Sequence, residues 1–156
     1  MRKTAIAVVM MLVLASAASA ADTIKLGGMY PLSGRAEALG RECKLGAEQA
    51  VAEINAKGGV LGKKFELLSA DDKANVQESV NLSKRYIQKD GVNFLFGVVS
   101  SAGALAVAEV ATQEKIVTMI TIGSTDGVTK DKWNRYTFRS GMGNSQEANS
   151  LALYAA

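Results

Sequence analysis

The feature that most constrains the fold is an alternation of short apolar runs with longer segments of helical period. Five runs of strand length occupy residues 23–29, 64–69, 93–99, 116–122 and 135–139. Most of the segments between them repeat apolar side chains every three or four residues, as amphipathic helices do. This alternation is typical of βαβ units, whose strands are parallel. It predicts an α/β domain, with an open parallel sheet flanked by helices on both faces.

The first of these helices is predicted over residues 37–56, before a pair of glycines that favours its end. A second begins after Asn75, which has Glu78 in the capping-box position, and it ends at Gly91. The inner face of the first is expected to carry Leu39, Cys43, Ala47, Ala50, Val51 and Ile54, and that of the second Val76, Val80, Ser83 and Ile87.

Two further helices follow in the second half of the sequence. One is predicted over residues 102–114, beside serines that are good cap acceptors. The other begins at Asn144 with Glu147 in the capping-box position, and the sequence stops inside it. We interpret this last helix, which no glycine or proline terminates, as a sign of truncation.

Residues 1–20 have the layout of a secretory signal peptide. Arg2 and Lys3 precede an apolar run over residues 5–15, and Ala18 and Ala20 fit the small-x-small rule for cleavage after residue 20. The apolar run is shorter than the roughly 18 residues that a membrane-spanning helix needs. We therefore expect residues 1–20 to be a signal peptide, residues 21–156 to form one domain, and the protein to be exported to the periplasm.

Charge and residue types exclude several classes of function. The sequence has 18 basic and 15 acidic residues, and Arg2 and Lys3 account for two of the three net positive charges, so no nucleic-acid partner is expected. It has no histidine and only one cysteine, Cys43, which removes Ser-His and Cys-His catalytic pairs and any internal disulfide. Cys43 is expected to be buried in its helix. We predict no catalytic residue, no metal and no cofactor.

Two loops beyond the carboxyl ends of the predicted strands carry hydroxyl groups, and ligands of open parallel sheets bind at this end. Ser100 and Ser101 precede or begin the third helix, where free amides suit a carboxylate or another anion. Gly123, Ser124 and Thr125 follow the neighbouring strand and offer the same chemistry. Ordinary roles in helix caps and turns explain the same residues, and on sequence grounds both interpretations stay open.

Two other polar clusters have functional interpretations that their positions do not favour. Asp71 and Asp72 are adjacent, so in a strand they point to opposite faces, and a turn-and-cap role is expected instead of a catalytic pair. A basic and aromatic cluster, of the kind that lines single-strand nucleic-acid grooves, is expected to be a solvated loop before an edge strand. It consists of Lys130, Lys132, Trp133, Arg135 and Tyr136.

An ordered series of motifs resembles the periplasmic branched-chain amino-acid binding proteins of ABC importers, which are type I solute-binding proteins. The motifs are KLG at 25–27, PLSG at 31–34, ALG at 38–40, GAEQA at 46–50, EINAKGGVLG at 53–62, DD at 71–72, SS at 100–101, GST at 123–125 and YTFR at 136–139. They extend over nearly all of residues 21–156. The resemblance implies the amino-terminal lobe of a two-lobed protein whose second lobe is absent from this sequence.

The same resemblance implies roles for individual residues. Ser101 would bind the ligand carboxylate through its hydroxyl and amide, and Thr125 would use the same two groups on the head group. Gly123 would offer its carbonyl to the ligand ammonium, and Leu39 would cover the ligand side chain. The implied ligand-binding residues are Ser101, Gly123, Thr125, Leu39, Ala102 and Ser124.

The function that the resemblance implies is capture without turnover. The ligand would be an amino acid of the branched-chain type, or a related small carboxylate or amide, delivered to the membrane permease of an ABC importer. Some family members link the second and third loops by a disulfide, and this sequence has Ala74 and Ser100 where those cysteines would fall. A ligand-sensing domain of the same fold and a truncated fragment without function stay open as alternatives.

Overall fold

A computed structural model describes residues 23–155, and the predicted signal peptide lies outside the described residues. The strands are β1 (Ile24–Tyr30), β2 (Phe65–Asp71), β3 (Phe94–Gly97), β4 (Val117–Ile120) and β5 (Thr137–Arg139). The helices are α1 (Glu37–Ala56), α2 (Val76–Arg85), α3 (Ser101–Glu114) and α4 (Asn144–Ala155), and α2 continues as a π-helical turn over Tyr86–Asp90. All strand pairs are parallel in the order β2-β1-β3-β4-β5, which confirms the predicted α/β class and open parallel sheet.

Several strands are shorter than their apolar runs. The third strand was predicted to continue to residue 99, but β3 ends at Gly97, whose φ of 109° takes the chain out of the extended conformation. Val98 follows with a left-handed φ of 61°, so the last apolar residues of the run form a loop. This early exit from the sheet creates the segment that leads into α3.

Helices α2 and α3 cover one face of the sheet and form the core with it. Leu95, Met29 and Ile120 of this face are at most 1% exposed. The Tyr86 hydroxyl donates a hydrogen bond to the Gly28 carbonyl (3.0 Å), and burial raises the pKa of Tyr86 to about 12. Burial of these side chains supplies most of the free energy that holds the layers together.

The predicted inner stripe of α2 is only partly right. Ser83 is buried as expected, whereas Val76 is 40% exposed. The side chains that point inward from α2 and the following turn are Ser79, Leu82, Ser83 and Tyr86. The stripe is displaced because serine hydroxyls find buried partners here: Ser79 donates to Asp72 (3.0 Å) and Ser83 to the Ser79 carbonyl (2.7 Å).

Helix α1 covers only part of the opposite face, over β1 and β2. Of its predicted inner stripe, Cys43, Ala47, Val51 and Ile54 are half-buried, and Leu39 and Ala50 are exposed. Right-handed crossovers in the order β2-β1-β3-β4-β5 place α1 on one side of the sheet and α2 and α3 on the other, so of these three helices only α1 covers this side. The large apolar residues beyond α1 are 38–49% exposed; they are Phe94, Val117, Met119 and Phe138.

The helix ends follow local capping rules. The Asn75 side chain accepts hydrogen bonds from the amides of Gln77 (2.9 Å) and Glu78 (3.1 Å), and the helical segment ends at Gly91 in the left-handed conformation, as predicted. The predicted cap of α4 is displaced by one residue: the Gly143 amide donates to the Gln146 side chain (2.8 Å), so Gln146 takes the place expected for Glu147.

Candidate functional site

The loop between β3 and α3 ends in the two serines. The Ser100 hydroxyl accepts a hydrogen bond from the Gly103 amide (3.3 Å), so this side chain is the cap that the alternative interpretation expected. Ser101 is the first residue of α3, and the first amides of a helix have no partner within it. Within residues 23–155, the Ser101 hydroxyl and the amides of Ser101 and Ala102 form no hydrogen bond.

The loop after β4 contains Gly123, Ser124 and Thr125. The Gly123 amide donates to the Val98 carbonyl (3.1 Å), and the Thr125 hydroxyl accepts from the Gly127 amide (3.3 Å) at the start of a short 3-10 helix, Asp126–Val128. In the described part of the chain, the Gly123 carbonyl and the Thr125 amide form no hydrogen bond. Hydrogen bonds of the Gly123 amide and the Thr125 hydroxyl therefore hold the loop in place, while the Gly123 carbonyl and the Thr125 amide have no partner among the described residues.

These two loops lie against each other. A Cβ atom placed on Gly123 would come within 2.9 Å of the Ala104 Cβ atom, and one on Gly127 within 3.2 Å of the Leu105 side chain. Ala104 and Leu105 lie one helical turn beyond Ser101 in α3. The structure thus brings the segments that carry Ser101 and Thr125 into contact at the carboxyl ends of adjacent strands.

Leu39 lies at the same end of the sheet, in the first turn of α1, and is 42% exposed. Helix α1 follows β1, which pairs with β3, so its first turn belongs to the loop cluster next to that of Ser101. Of the other implied residues, Ala102 occupies the second position of α3 and Ser124 is half-buried.

Asp71 and Asp72 have separate structural roles, as the turn-and-cap interpretation predicted. The Asp71 carboxylate accepts hydrogen bonds from the amides of Leu32 (2.7 Å) and Lys73 (2.8 Å) and from the Ser33 hydroxyl (2.6 Å), which ties the β1 and β2 loops together. Asp72 is fully buried and accepts from Ser79. Burial raises the pKa of Asp72; at Asp71 burial acts the same way, but the hydrogen bonds outweigh it and the pKa is lowered.

Replacing Asp71 with asparagine is expected to lower the free energy of unfolding at neutral pH by about 1 kcal/mol, because a neutral amide binds these donors less well. A carboxyl with a lowered folded pKa stabilises the fold above its ordinary value of 3.8, and the benefit is lost as the pH falls through the folded pKa. The difference between the two proteins should therefore disappear in acid. Urea denaturation from pH 7 down to pH 3 measures it, with exposed Asp131→Asn as the control that should show no such difference.

Sequence reasoning did not assign a role to Arg139, although it lies in the YTFR motif. Its Nη1 atom donates to the carbonyls of Thr125 (2.7 Å) and Ser124 (3.4 Å), and the Asn144 amide also donates to the Ser124 carbonyl (2.8 Å). Asp126 accepts from the Ser145 amide (3.2 Å) and from the Ser145 hydroxyl. The Ser145 hydroxyl is the main cause that lowers the pKa of Asp126.

Three other features of the described residues concern metal binding, membrane spanning and the predicted basic and aromatic cluster. Among residues 23–155, no three histidine, cysteine, aspartate or glutamate side chains are grouped so that they would bind a metal ion. The helices in the same region are all too short or too polar to cross a bilayer. The basic and aromatic cluster before β5 is largely exposed and precedes an edge strand, as predicted; Trp133 is 67% exposed.

An open parallel sheet with loops gathered at the carboxyl ends of its strands has the architecture in which α/β proteins place their ligand sites. Residues 23–156 match the family model described as "Periplasmic binding protein". The match covers most of the chain, and the chain belongs to the periplasmic binding protein family.

Individual relatives agree with this assignment. Leu/Ile/Val-binding protein homolog 7 of Brucella suis is 42% identical over 111 residues, which are 71% of this chain and 28% of that protein. The branched-chain amino acid transporter substrate binding protein LivJ of Streptococcus pneumoniae, solved in complex with isoleucine, aligns with a TM-score of 0.74 at 30% identity, over 80% of this chain and 35% of that one.

A second solved structure extends the range of ligands among the relatives. A solute binding protein of an ABC transporter from Rhodopseudomonas palustris, in complex with 3,4-dihydroxybenzoic acid, aligns with a TM-score of 0.73 at 27% identity, over 80% of this chain and 33% of that one. This chain therefore spans about a third of the length of the relatives it matches.

Proposed function

We propose that this chain supplies half of the binding cleft of a periplasmic substrate-binding protein, which captures an amino acid of the branched-chain type for the permease of an ABC importer. The observation that carries the proposal is a set of unpaired groups on two touching loops. Within residues 23–155 these are the Ser101 hydroxyl, the amides of Ser101, Ala102 and Thr125, and the Gly123 carbonyl.

These groups have complementary roles toward an amino acid head group. The amides and hydroxyl at the start of α3 would donate to the carboxylate, which the positive end of the helix dipole also favours. The Thr125 amide would donate to the same group from the neighbouring loop. The Gly123 carbonyl would accept from the ammonium, and Leu39, at the start of α1, would lie beside the ligand side chain together with Ala102 and Ser124.

The two ligands named for relatives separate the roles of these groups. Isoleucine and 3,4-dihydroxybenzoic acid both have a carboxylate, but only isoleucine has an ammonium. A site that uses the Gly123 carbonyl would favour the amino acid, since a buried carbonyl without a donor costs free energy. The branched-chain names of the closer matches in sequence support the same choice.

We also propose that binding occurs without turnover. The side chains that would serve as a catalytic carboxylate pair, Asp71 and Asp72, are occupied by hydrogen bonds to loop and helix groups. The sequence has no histidine to act as a general base near Ser101 or Thr125. The transporter names of the relatives support delivery to a permease, and the family and the predicted signal peptide support a periplasmic location.

An NMR titration of the ¹⁵N-labelled chain tests the proposal, because it detects even the weak binding expected of a single lobe. Leucine, isoleucine and valine should shift the amide signals of Ser101, Ala102 and Thr125, and 3,4-dihydroxybenzoate should shift them less. The variant Ser101→Ala, which removes the one side-chain group of the proposed set, should weaken binding by roughly 10- to 100-fold, as expected for the loss of a hydrogen bond to a charged group.

The matched control is Thr112→Ala, because Thr112 is an exposed residue at the other end of α3 whose hydroxyl donates to the Ala108 carbonyl. This variant should bind like the unsubstituted chain. The proposal is wrong if none of the four compounds shifts the signals of Ser101, Ala102 and Thr125, or if Ser101→Ala binds as well as the control.

A further inference from the structure

We infer that Arg139 is the positioning residue of the ligand-binding loop, since its guanidinium sets the direction in which Thr125 presents its amide. The inference rests on the proposed function for its binding consequence, but its structural part concerns the ligand-free chain. Arg139 lies at the end of β5, paired with Ile120 of β4, and its side chain is half-buried.

The contact joins one side chain to two consecutive carbonyls of the loop. Arg139 Nη1 lies 2.7 Å from the Thr125 carbonyl oxygen and 3.4 Å from that of Ser124. The Asn144 amide approaches the same Ser124 oxygen at 2.8 Å from the start of α4. A charged donor forms a stronger hydrogen bond to a carbonyl than a neutral one, so Arg139 is the main restraint that a side chain provides here.

Peptide geometry turns this restraint into an orientation. The Ser124 carbonyl and the Thr125 N–H belong to one planar peptide unit, and in a trans unit they point in opposite directions. The described chain contains no cis peptide bond. When Arg139 and Asn144 hold the Ser124 oxygen on their side, the Thr125 N–H must point away from them, and among residues 23–155 it meets no acceptor. The proposed ligand carboxylate would be that acceptor.

The absence of a side chain at Gly143 leaves space for the Arg139 guanidinium. A Cβ atom on Gly143 would lie 2.4 Å from Arg139 Nη2 and 2.5 Å from an Asp126 carboxylate oxygen, so the glycine leaves space where the two side chains meet the start of α4. Asp126 is tethered to Ser145 at the same place. A lysine would retain the charge but would replace the planar guanidinium, whose Nη1 contacts both carbonyl oxygens, with an ammonium on a flexible stem.

The ligand-free test compares Arg139→Ala and Arg139→Lys with Arg135→Ala, which removes an exposed arginine of the same segment. In both Arg139 variants, the Thr125 and Asp126 amide signals should move or broaden. In Arg135→Ala they should stay as they are. If Arg139→Ala fails to fold, the Thr125 and Asp126 amide signals of Arg139→Lys test the inference instead. Unchanged Thr125 and Asp126 amides in a folded Arg139 variant would overturn the inference.

The binding test uses leucine as the probe. Arg139→Ala should weaken its binding roughly tenfold, the size expected for a misdirected charge-assisted hydrogen bond, whereas Arg135→Ala should leave it unchanged. Arg139→Lys should lie between them. If the unsubstituted chain binds none of leucine, isoleucine and valine, the proposed function is wrong. The Thr125 and Asp126 amide signals of the ligand-free variants would still show whether Arg139 orients the loop. Equal leucine binding in a folded Arg139→Ala and in Arg135→Ala would overturn the binding part of the inference.

Discussion

Alanine in place of Gly97 is expected to lower the free energy of unfolding by roughly 2–6 kcal/mol. Gly97 ends β3 with a φ of 109°, a conformation that side chains disfavour by about 1–3 kcal/mol. A Cβ atom there would lie 2.3 Å from the Met29 carbonyl oxygen, and relieving such an overlap costs roughly another 1–3 kcal/mol. The sum is a large part of the about 5–15 kcal/mol that stabilises a typical domain.

Gly91→Ala is the matched control for this prediction. Gly91 also has a left-handed φ, 64°, but a Cβ atom on it would meet nothing within 4 Å. Replacing Gly91 should therefore lower the free energy of unfolding by about 1 kcal/mol, the cost of the left-handed backbone conformation alone. Urea denaturation followed by circular dichroism measures both variants. Equal unfolding midpoints for Gly97→Ala and Gly91→Ala would show that β3 does not approach β1 as closely as the structure has it.

Gly40→Ala is expected to destabilise the fold by about 2–3 kcal/mol, although alanine is the better helix former. A Cβ atom on Gly40 would lie 1.9 Å from the Pro31 carbonyl oxygen and 2.7 Å from the Pro31 carbonyl carbon. Because these are backbone atoms, α1 would have to move off the β1 loop. The displacement would also move Leu39, the neighbouring residue of the proposed cleft.

Gly46→Ala, in the same helix, should have the opposite sign. No atom lies within 4 Å of a Cβ placed on Gly46, so alanine should stabilise α1 by about 0.5–1 kcal/mol. Thermal unfolding of the two variants beside the unsubstituted chain tests the pair. An increase in Tm for both would mean that α1 does not lie against the Pro31 carbonyl.

The proposed site shows where prediction from sequence was sufficient and where it was not. Hydroxyls and amides at the ends of neighbouring parallel strands predicted a loop cluster, and the structure brings the segments of Ser101 and Thr125 into contact. The residue pattern alone left Ser100 and Ser101 equivalent, the family resemblance assigned the ligand to Ser101, and the structure assigns Ser100 to the helix cap. Arg139 had no local signal, because its carbonyl partners lie 14 and 15 residues earlier in the chain.

The sequence by itself determined the class of fold, the strand succession, the exact bounds of α1 and the caps at Asn75 and Gly91, because these depend on periodicity and on contacts between near neighbours. Only the tertiary structure decided which faces are buried. The predicted inner face of α1 is partly exposed because the strand order places α2 and α3 on the other side of the sheet, and the Ser79–Asp72 hydrogen bond displaced the buried face of α2. Burial and hydrogen-bond pairing depend on residues far apart in the chain, and periodicity does not specify them.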